Sequence, residues 1–139
     1  MGSSGKQAKA AAPLGQVTTK QRGDEAEARA RRHLQAQGLR WLASNFRTPG
    51  RGGGEIDLIM REPDGTLVFV EVRQRSRGDF GGAGASVGPL KQRRIVFAAR
   101  HYLHRLPSPP PCRFDVVLIE GQLQSQAQVT WLKAAFDAA

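Results

Sequence analysis

Two acids are set inside apolar runs: Asp57 in Ile56-Asp-Leu-Ile-Met60, preceded by Gly54-Glu55, and Glu71 in Leu67-Val-Phe-Val-Glu-Val-Arg73. Both runs alternate with a period of two and Pro63-Asp64-Gly65 lies between them, so they read as the strands Gly54 to Arg61 and Thr66 to Arg73 of a tight hairpin. A register centred on Asp64 sets Asp57 opposite Glu71. Glu55, Asp57 and Ile59 then share a face with Phe69, Glu71 and Arg73, while Ile56, Leu58 and Met60 share the other with Val68, Val70 and Val72. Like charges directly across a ladder cost roughly 0.2–1 kcal/mol, and more where the dielectric is low. The pair therefore calls for a compensating cation: a divalent metal held by hard carboxylate oxygens, or the guanidinium of Arg73. The same register places Glu55 opposite Arg73.

Cations surround this pair in the sequence. Arg73, Arg75 and Arg77 have the spacing that puts them on one side of a continuing strand, a rail for a phosphate backbone; the alternative is a solvated strand end. The Gly-rich stretch from Gly78 to Gly88 lacks the spacing of a phosphate-binding loop and reads as a mobile loop. A helix follows over about 88–105, with Ser86 as its cap and Pro89 early in its first turn. Ile95, Ala98, Ala99, Tyr102 and Leu106 form its buried stripe and leave Lys91, Arg93, Arg94 and Arg105 outside, so its N-terminal half is basic as well as dipole-positive. His101 and His104 read as a surface pair, since no third ligand of their kind accompanies them.

The elements that must hold these groups start at Thr18. A helix over about 21–37 carries the apolar stripe Ala26, Ala30, Leu34 and Leu39, with Gly38 at its C-terminal cap. Glu27 lies at the edge of that stripe, able to reach a site beside the core; the alternative is an exposed pair with Arg31. Leu39 to Phe46 is a short strand or extended segment, and Thr48 to Gly54 is a flexible loop. Arg113 to Glu120 alternates as a third strand with Phe114, Val116 and Leu118 on one face and a structural Asp115 on the other. Val129 to Leu132 can pair as a last strand, and the Ala-rich end reads as a short helix. The fold class is therefore α/β (α+β): a small mixed β-sheet with a central hairpin, flanked by helices.

Composition bounds the function. The chain has 139 residues, 40% of them hydrophobic, enough for one ordinary core. Residues 1–19 read as a disordered tail and 20–139 as a single domain. Lys and Arg outnumber Asp and Glu by 21 to 12, a net charge of +9 with a pI of about 11.0. Such a field attracts nucleic acid first and an anionic membrane surface second. The single Cys112 excludes an internal disulfide framework and a multi-thiolate zinc site, which favours a reducing cytoplasm. No apolar run reaches the roughly 18 residues of a membrane span.

Ala26-Glu27 with Ala30, Leu34, Gly38, Asn45, Gly54-Glu-Ile-Asp-Leu-Ile59, Phe69-Val-Glu-Val-Arg73, Phe80-Gly81, Lys91, Arg113-Phe-Asp-Val-Val117 and Ala135-Phe136 together resemble the YraN family of uncharacterised bacterial proteins. That family is similar to restriction-endonuclease-like proteins of the PD-(D/E)XK group, closest in pattern to archaeal Holliday-junction resolvases. The resemblance implies a nuclease-like domain in which Asp57 and Glu71 bind Mg²⁺ or Mn²⁺ and activate water. Glu27 is the first-helix glutamate, and Arg73 occupies the position of the group's lysine. An arginine stays protonated and cannot act as a base, though it can offset charge on a phosphate.

The leading expectation is a metal-dependent endonuclease acting on DNA, structured or branched substrates included, with catalytic residues Asp57, Glu71, Arg73 and Glu27. Arg73, Arg75, Arg77, Lys91, Arg93 and Arg94 would bind nucleic acid, DNA more readily than RNA, and cutting two strands would favour a homodimer. Two alternatives stand beside it: a non-catalytic nucleic-acid-binding module with a degenerate site, and a protein-interaction module using the basic surface.

Overall fold

The computed structural model describes residues 18–75, 87–121 and 127–138. The chain runs α1 (Thr19–Ala36), β1 (Arg40–Arg47), β2 (Glu55–Arg61), β3 (Leu67–Arg75), α2 (Pro89–Leu103), β4 (Cys112–Glu120) and β5 (Gln128–Phe136). The disordered-tail reading of residues 1–19 falls almost wholly outside the described residues, as do Arg77, Ser86 and most of the Gly-rich stretch. Among the described residues no helix is long and apolar enough to cross a membrane.

The α1 helix begins where its sequence can satisfy free N–H groups. Gln21 N–H donates to Thr18 Oγ1 at 3.1 Å, and Thr18 N–H donates to Gln21 Oε1 at 2.9 Å, a reciprocal cap. It ends at Gly38, whose φ of +100° lets the chain reverse into β1. Ala26, Ala30 and Leu34 are buried against Leu58, Met60, Val68, Val70, Val117 and Ile119, on one face of the sheet. The α2 helix covers the other face, burying Ile95, Ala98 and Ala99 against Ile56, Ile59, Leu67, Phe69, Phe114 and Val116. The result is a helix, sheet, helix sandwich. Close approach on the α2 side depends on Gly54, because a Cβ there would fall 1.8 Å from the Arg94 carbonyl oxygen.

The sheet has five strands in the order β1-β2-β3-β4-β5. The β3–β4 pair is parallel and the other neighbours are antiparallel; a parallel step needs a long crossover, and α2 lies within it. The hairpin register agrees with the sequence: Leu58 pairs with Val70 and Arg61 with Leu67. Its turn is closed by Gly65 N–H on the Glu62 carbonyl at 2.9 Å, by Thr66 N–H on Asp64 Oδ1 at 2.9 Å, and by a Gly65 φ of +97°.

Three details correct the sequence reading. Ile56 packs in the α2 cluster with Ile59, not with Leu58 and Met60. The alternation breaks because Asn45, at φ +53°, kinks β1 between the pairs Ser44–Leu58 and Phe46–Ile56. Glu55 finds its cation in Arg47 across β1, at 3.4 Å, and not in Arg73, because the β2–β3 ladder stops at Leu58–Val70. The loop from Thr48 to Gly54 is pinched at its neck by Gly54 N–H on Thr48 Oγ1, 2.7 Å.

The last correction concerns the C-terminal segment, which stays in the sheet as β5 and does not turn into a helix. Phe136 stacks on Phe114 with ring centres 5.0 Å apart. The fully buried Asp115 accepts from Ala134 N–H at 2.9 Å and from Trp131 Nε1 at 2.8 Å. These contacts hold Ala134 at φ +52°, in an irregularity of the β4–β5 ladder. Tertiary contacts have overridden the helical propensity of the alanines.

Candidate functional site

The site forms where β2 and β3 stop pairing. Beyond Leu58–Val70 the ladder bonds end, and Asp57 Oδ2 instead accepts the N–H of Val72 at 2.8 Å. The carboxylate thus fills the place of a main-chain acceptor, which wedges the strands apart and fixes its own orientation. Glu71 stands next to it on β3, hydrogen-bonded to the Asp57 carboxyl and only 5% exposed.

Two carboxyl groups in hydrogen-bond contact and largely out of water cannot both ionise cheaply. Glu71 is pushed up from 4.5 to about 7, chiefly by burial and then by the negative charge of Asp57. Asp57 is also raised by burial, opposed by the Val72 hydrogen bond. The pair therefore holds a shared proton in the neutral range.

Cations approach without closing on it. Lys91 Nζ, from the first turn of α2, lies 3.7 Å from Glu71 Oε2. Arg73 Nη1, two residues along β3, lies 3.8 Å from the same oxygen. Both are longer than a normal hydrogen bond, so what they give Glu71 at these distances is an offset of charge.

From the other layer α1 contributes Glu27. Its Oε1 accepts from Asn45 Nδ2 at 3.0 Å, and its charge interacts with that of Asp57. Burial raises the pKa of Glu27, while the Asn45 amide lowers it. Arg31, the alternative partner, lies over the Trp41 ring at 4.5 Å. A shallow cavity of about 120 Å³ lined by Asp24, Glu27, Ala28, Arg31 and Ser44 opens beside this glutamate.

The fold thus brings Asp57, Glu71, Arg73 and Lys91 together, while Glu27 approaches from the α1 layer within electrostatic reach of Asp57 and does not close a three-acid cluster with the pair. Arg93 and Arg94 lie exposed in the first two turns of α2. Arg75 points elsewhere: its guanidinium is paired with Glu120 on β4 and its side chain is 15% exposed. Arg77 lies outside the described residues. Two contacts escape a reading of the sequence. Lys91 is read there only as a phosphate-binding cation, and nothing local in the sequence reveals that it meets Glu71 twenty positions earlier. Asn45 has no signal of its own beyond the readiness of asparagine to take positive φ.

The donor set suits a hard cation. Among the described residues no three His, Cys, Asp or Glu side chains form a ready-made metal cage. Mg²⁺ does not need one, because it commonly uses one or two carboxylates and completes its shell with waters and substrate phosphates. Asp57 and Glu71 supply those two carboxylates, and two offset cations flank the place where a phosphate would lie.

Comparison with known proteins adds the family. The profile of the uncharacterised protein family UPF0102, also called YraN, matches residues 26–119. A UPF0102 protein of Polaromonas naphthalenivorans (strain CJ2) is 68% identical over 133 residues, covering 93% of this chain and 87% of its own. One from Verminephrobacter eiseniae (strain EF01-2) is 66% identical over 121 residues, 87% of this chain and 81% of its own. A third, from Acidovorax sp. (strain JS42), is 60% identical over 139 residues, the whole of both chains.

Proposed function

The chain belongs to the uncharacterised protein family UPF0102, and we propose that it is a metal-dependent nuclease hydrolysing phosphodiester bonds of nucleic acid at Asp57 and Glu71. The observation that carries this reading is the buried Glu71 hydrogen-bonded to the Asp57 carboxyl, with two cations held 3.7 and 3.8 Å away. A pair of that kind opposes folding and gives no structural return that an apolar pair would not improve. It is suited to receiving a divalent cation.

A bound Mg²⁺ or Mn²⁺ would neutralise phosphate charge and lower the pKa of a water for in-line attack. Asp57 and Glu71 would hold it. The Val72 N–H keeps Asp57 in one orientation, and the Glu71 proton would pass to solvent water before its oxygens could serve as ligands. Lys91 takes the part that Arg73 cannot, because an ammonium beside a reacting oxygen can exchange a proton whereas a guanidinium stays charged. Arg73 clamps a non-bridging phosphate oxygen. Arg93 and Arg94, at the dipole-positive start of α2, line the approach of the backbone. In this reading the substrate is DNA in preference to RNA, and a homodimer would cut two strands together.

One observation favours a second reading, a nucleic-acid-binding module without catalysis. Arg73 stands at the lysine position, and with Lys91 it can neutralise Glu71 with no metal present. An end-labelled four-way DNA junction incubated with Mg²⁺ separates the two. The nuclease reading expects nicks in wild type and none with Asp57→Asn. Binding without cleavage in any divalent cation, together with equal affinity for Asp57→Asn, would establish the module.

A further inference from the structure

Only two non-glycine residues among those described have positive φ, Asn45 at 53° and Ala134 at 52°. Ala134 is accounted for by its hydrogen bond to the buried Asp115. Asn45 has no such anchor in the core. Its neighbours pair as Ser44–Leu58 and Phe46–Ile56, so the register sets it opposite Asp57, at the point where the side-chain alternation of β1 and β2 reverses. A glycine would meet that backbone requirement at no steric cost. Asparagine meets it too and adds an amide, which donates to Glu27 Oε1 at 3.0 Å.

We propose that Asn45 is a positioning residue, fixing the Glu27 carboxylate on the Asp57 side of α1, where it would accept from a water of the bound cation and not act as a third direct ligand. This rests on the metal-binding reading of Asp57 and Glu71. The contact bridges α1 and β1, the two elements on that side of the site, and it is solvent-exposed, so its contribution to global stability is small. Its effect falls on direction. The amide holds one oxygen of Glu27 and leaves the other outside that bond. A hydrogen bond of this type behind a metal-site acid is commonly worth 10–100-fold in metal affinity.

The test compares Mn²⁺ binding by calorimetry at pH 8 and urea unfolding for wild type, Asn45→Gly, Glu27→Gln and the double variant. We expect Asn45→Gly to keep the wild-type urea midpoint, because glycine accepts the same φ, and to bind Mn²⁺ about 10-fold more weakly. In the Glu27→Gln background the same change adds less than about twofold, because Asn45 then has no carboxylate to direct. If Asn45→Gly lowers the midpoint, Asn45→Asp is read in its place; it tolerates the same backbone and cannot donate, so the same loss is expected. An unchanged Mn²⁺ constant in these variants, or an equal loss with and without Glu27, would overturn the positioning role alone. Wild-type protein that binds no Mn²⁺ would overturn the metal reading of the site and the positioning role with it.

Discussion

The N–H of Val72 donates to Asp57 Oδ2 at 2.8 Å across the gap where the β2–β3 ladder has ended. One carboxylate thereby terminates a hairpin and fixes half of an acid pair, so structure and site share a single hydrogen bond. Asparagine can still accept that bond through its side-chain oxygen, so Asp57→Asn should fold. It removes the charge that helps hold the Glu71 proton, and the Glu71 midpoint should fall from about 7 toward 4.5. Carboxyl carbon shifts across a pH titration read this directly; a midpoint still near 7 would mean that burial alone holds the proton.

The raised pKa has a consequence for stability. In the folded protein Glu71 keeps its proton to about pH 7, whereas at its ordinary value of 4.5 the unfolded chain has already lost it. Between those limits the native state binds more protons than the unfolded one, so this contribution falls as pH rises from about 4.5 to 7 and is flat above. Glu71→Gln, which cannot ionise, should be more stable than wild type at pH 8 by roughly 1–3 kcal/mol and nearly equal to it at pH 4. Urea unfolding at the two pH values checks the sign.

Lys91 opposes the upward shift of both acids. Lys91→Ala should therefore move the Glu71 midpoint above 7, weaken binding of a DNA duplex at low salt and reduce the dependence of that binding on salt. If the nuclease reading holds, cleavage falls further than binding does. Equal losses in both would reduce Lys91 to a phosphate contact.

Close packing at Gly54 gives a structural prediction. A Cβ 1.8 Å from the Arg94 carbonyl oxygen can be accommodated only by moving α2 away from the sheet, and α2 carries Lys91. Gly54→Ala should cost about 3 kcal/mol and weaken metal-dependent activity through displacement of Lys91. An unchanged urea midpoint would contradict this packing.

Asp115 is a different kind of acid. It is fully buried, and Arg113 Nε, Trp131 Nε1 and Ala134 N–H all donate to it. Removing it leaves three donors without their acceptor, while Arg113 keeps Glu62. Asp115→Ala should destabilise by about 3 kcal/mol and leave Mn²⁺ affinity in the folded fraction unchanged. Loss of metal binding at full folding would place Asp115 in the site after all.

The hairpin was legible because the turn chemistry of Pro63-Asp64-Gly65 and two alternating runs admit few registers. The stripes Ala26-Ala30-Leu34 and Ile95-Ala98-Ala99 were legible for the same reason: a helical period identifies a buried face without knowledge of what covers it. The face of Ile56 was not, because the kink at Asn45 reverses the alternation, and the cause sits on a different strand. The C-terminal strand was hidden by alanines whose local preference is helical, until Asp115 and Phe114 capture the backbone and ring of Ala134 and Phe136. The meeting of Lys91 with Glu71 depends on how α2 packs, which no local pattern encodes.

The central claim is that Asp57 and Glu71 hold a divalent cation, and calorimetric titration of Mn²⁺ at pH 6 and pH 8 tests it most directly. The account predicts one site in wild type, tighter at pH 8 because binding must displace the shared proton, and no site in Asp57→Asn. Equal binding by Asp57→Asn, or no binding by wild type at either pH, would contradict it and leave the acid pair neutralised by Lys91 and Arg73 alone.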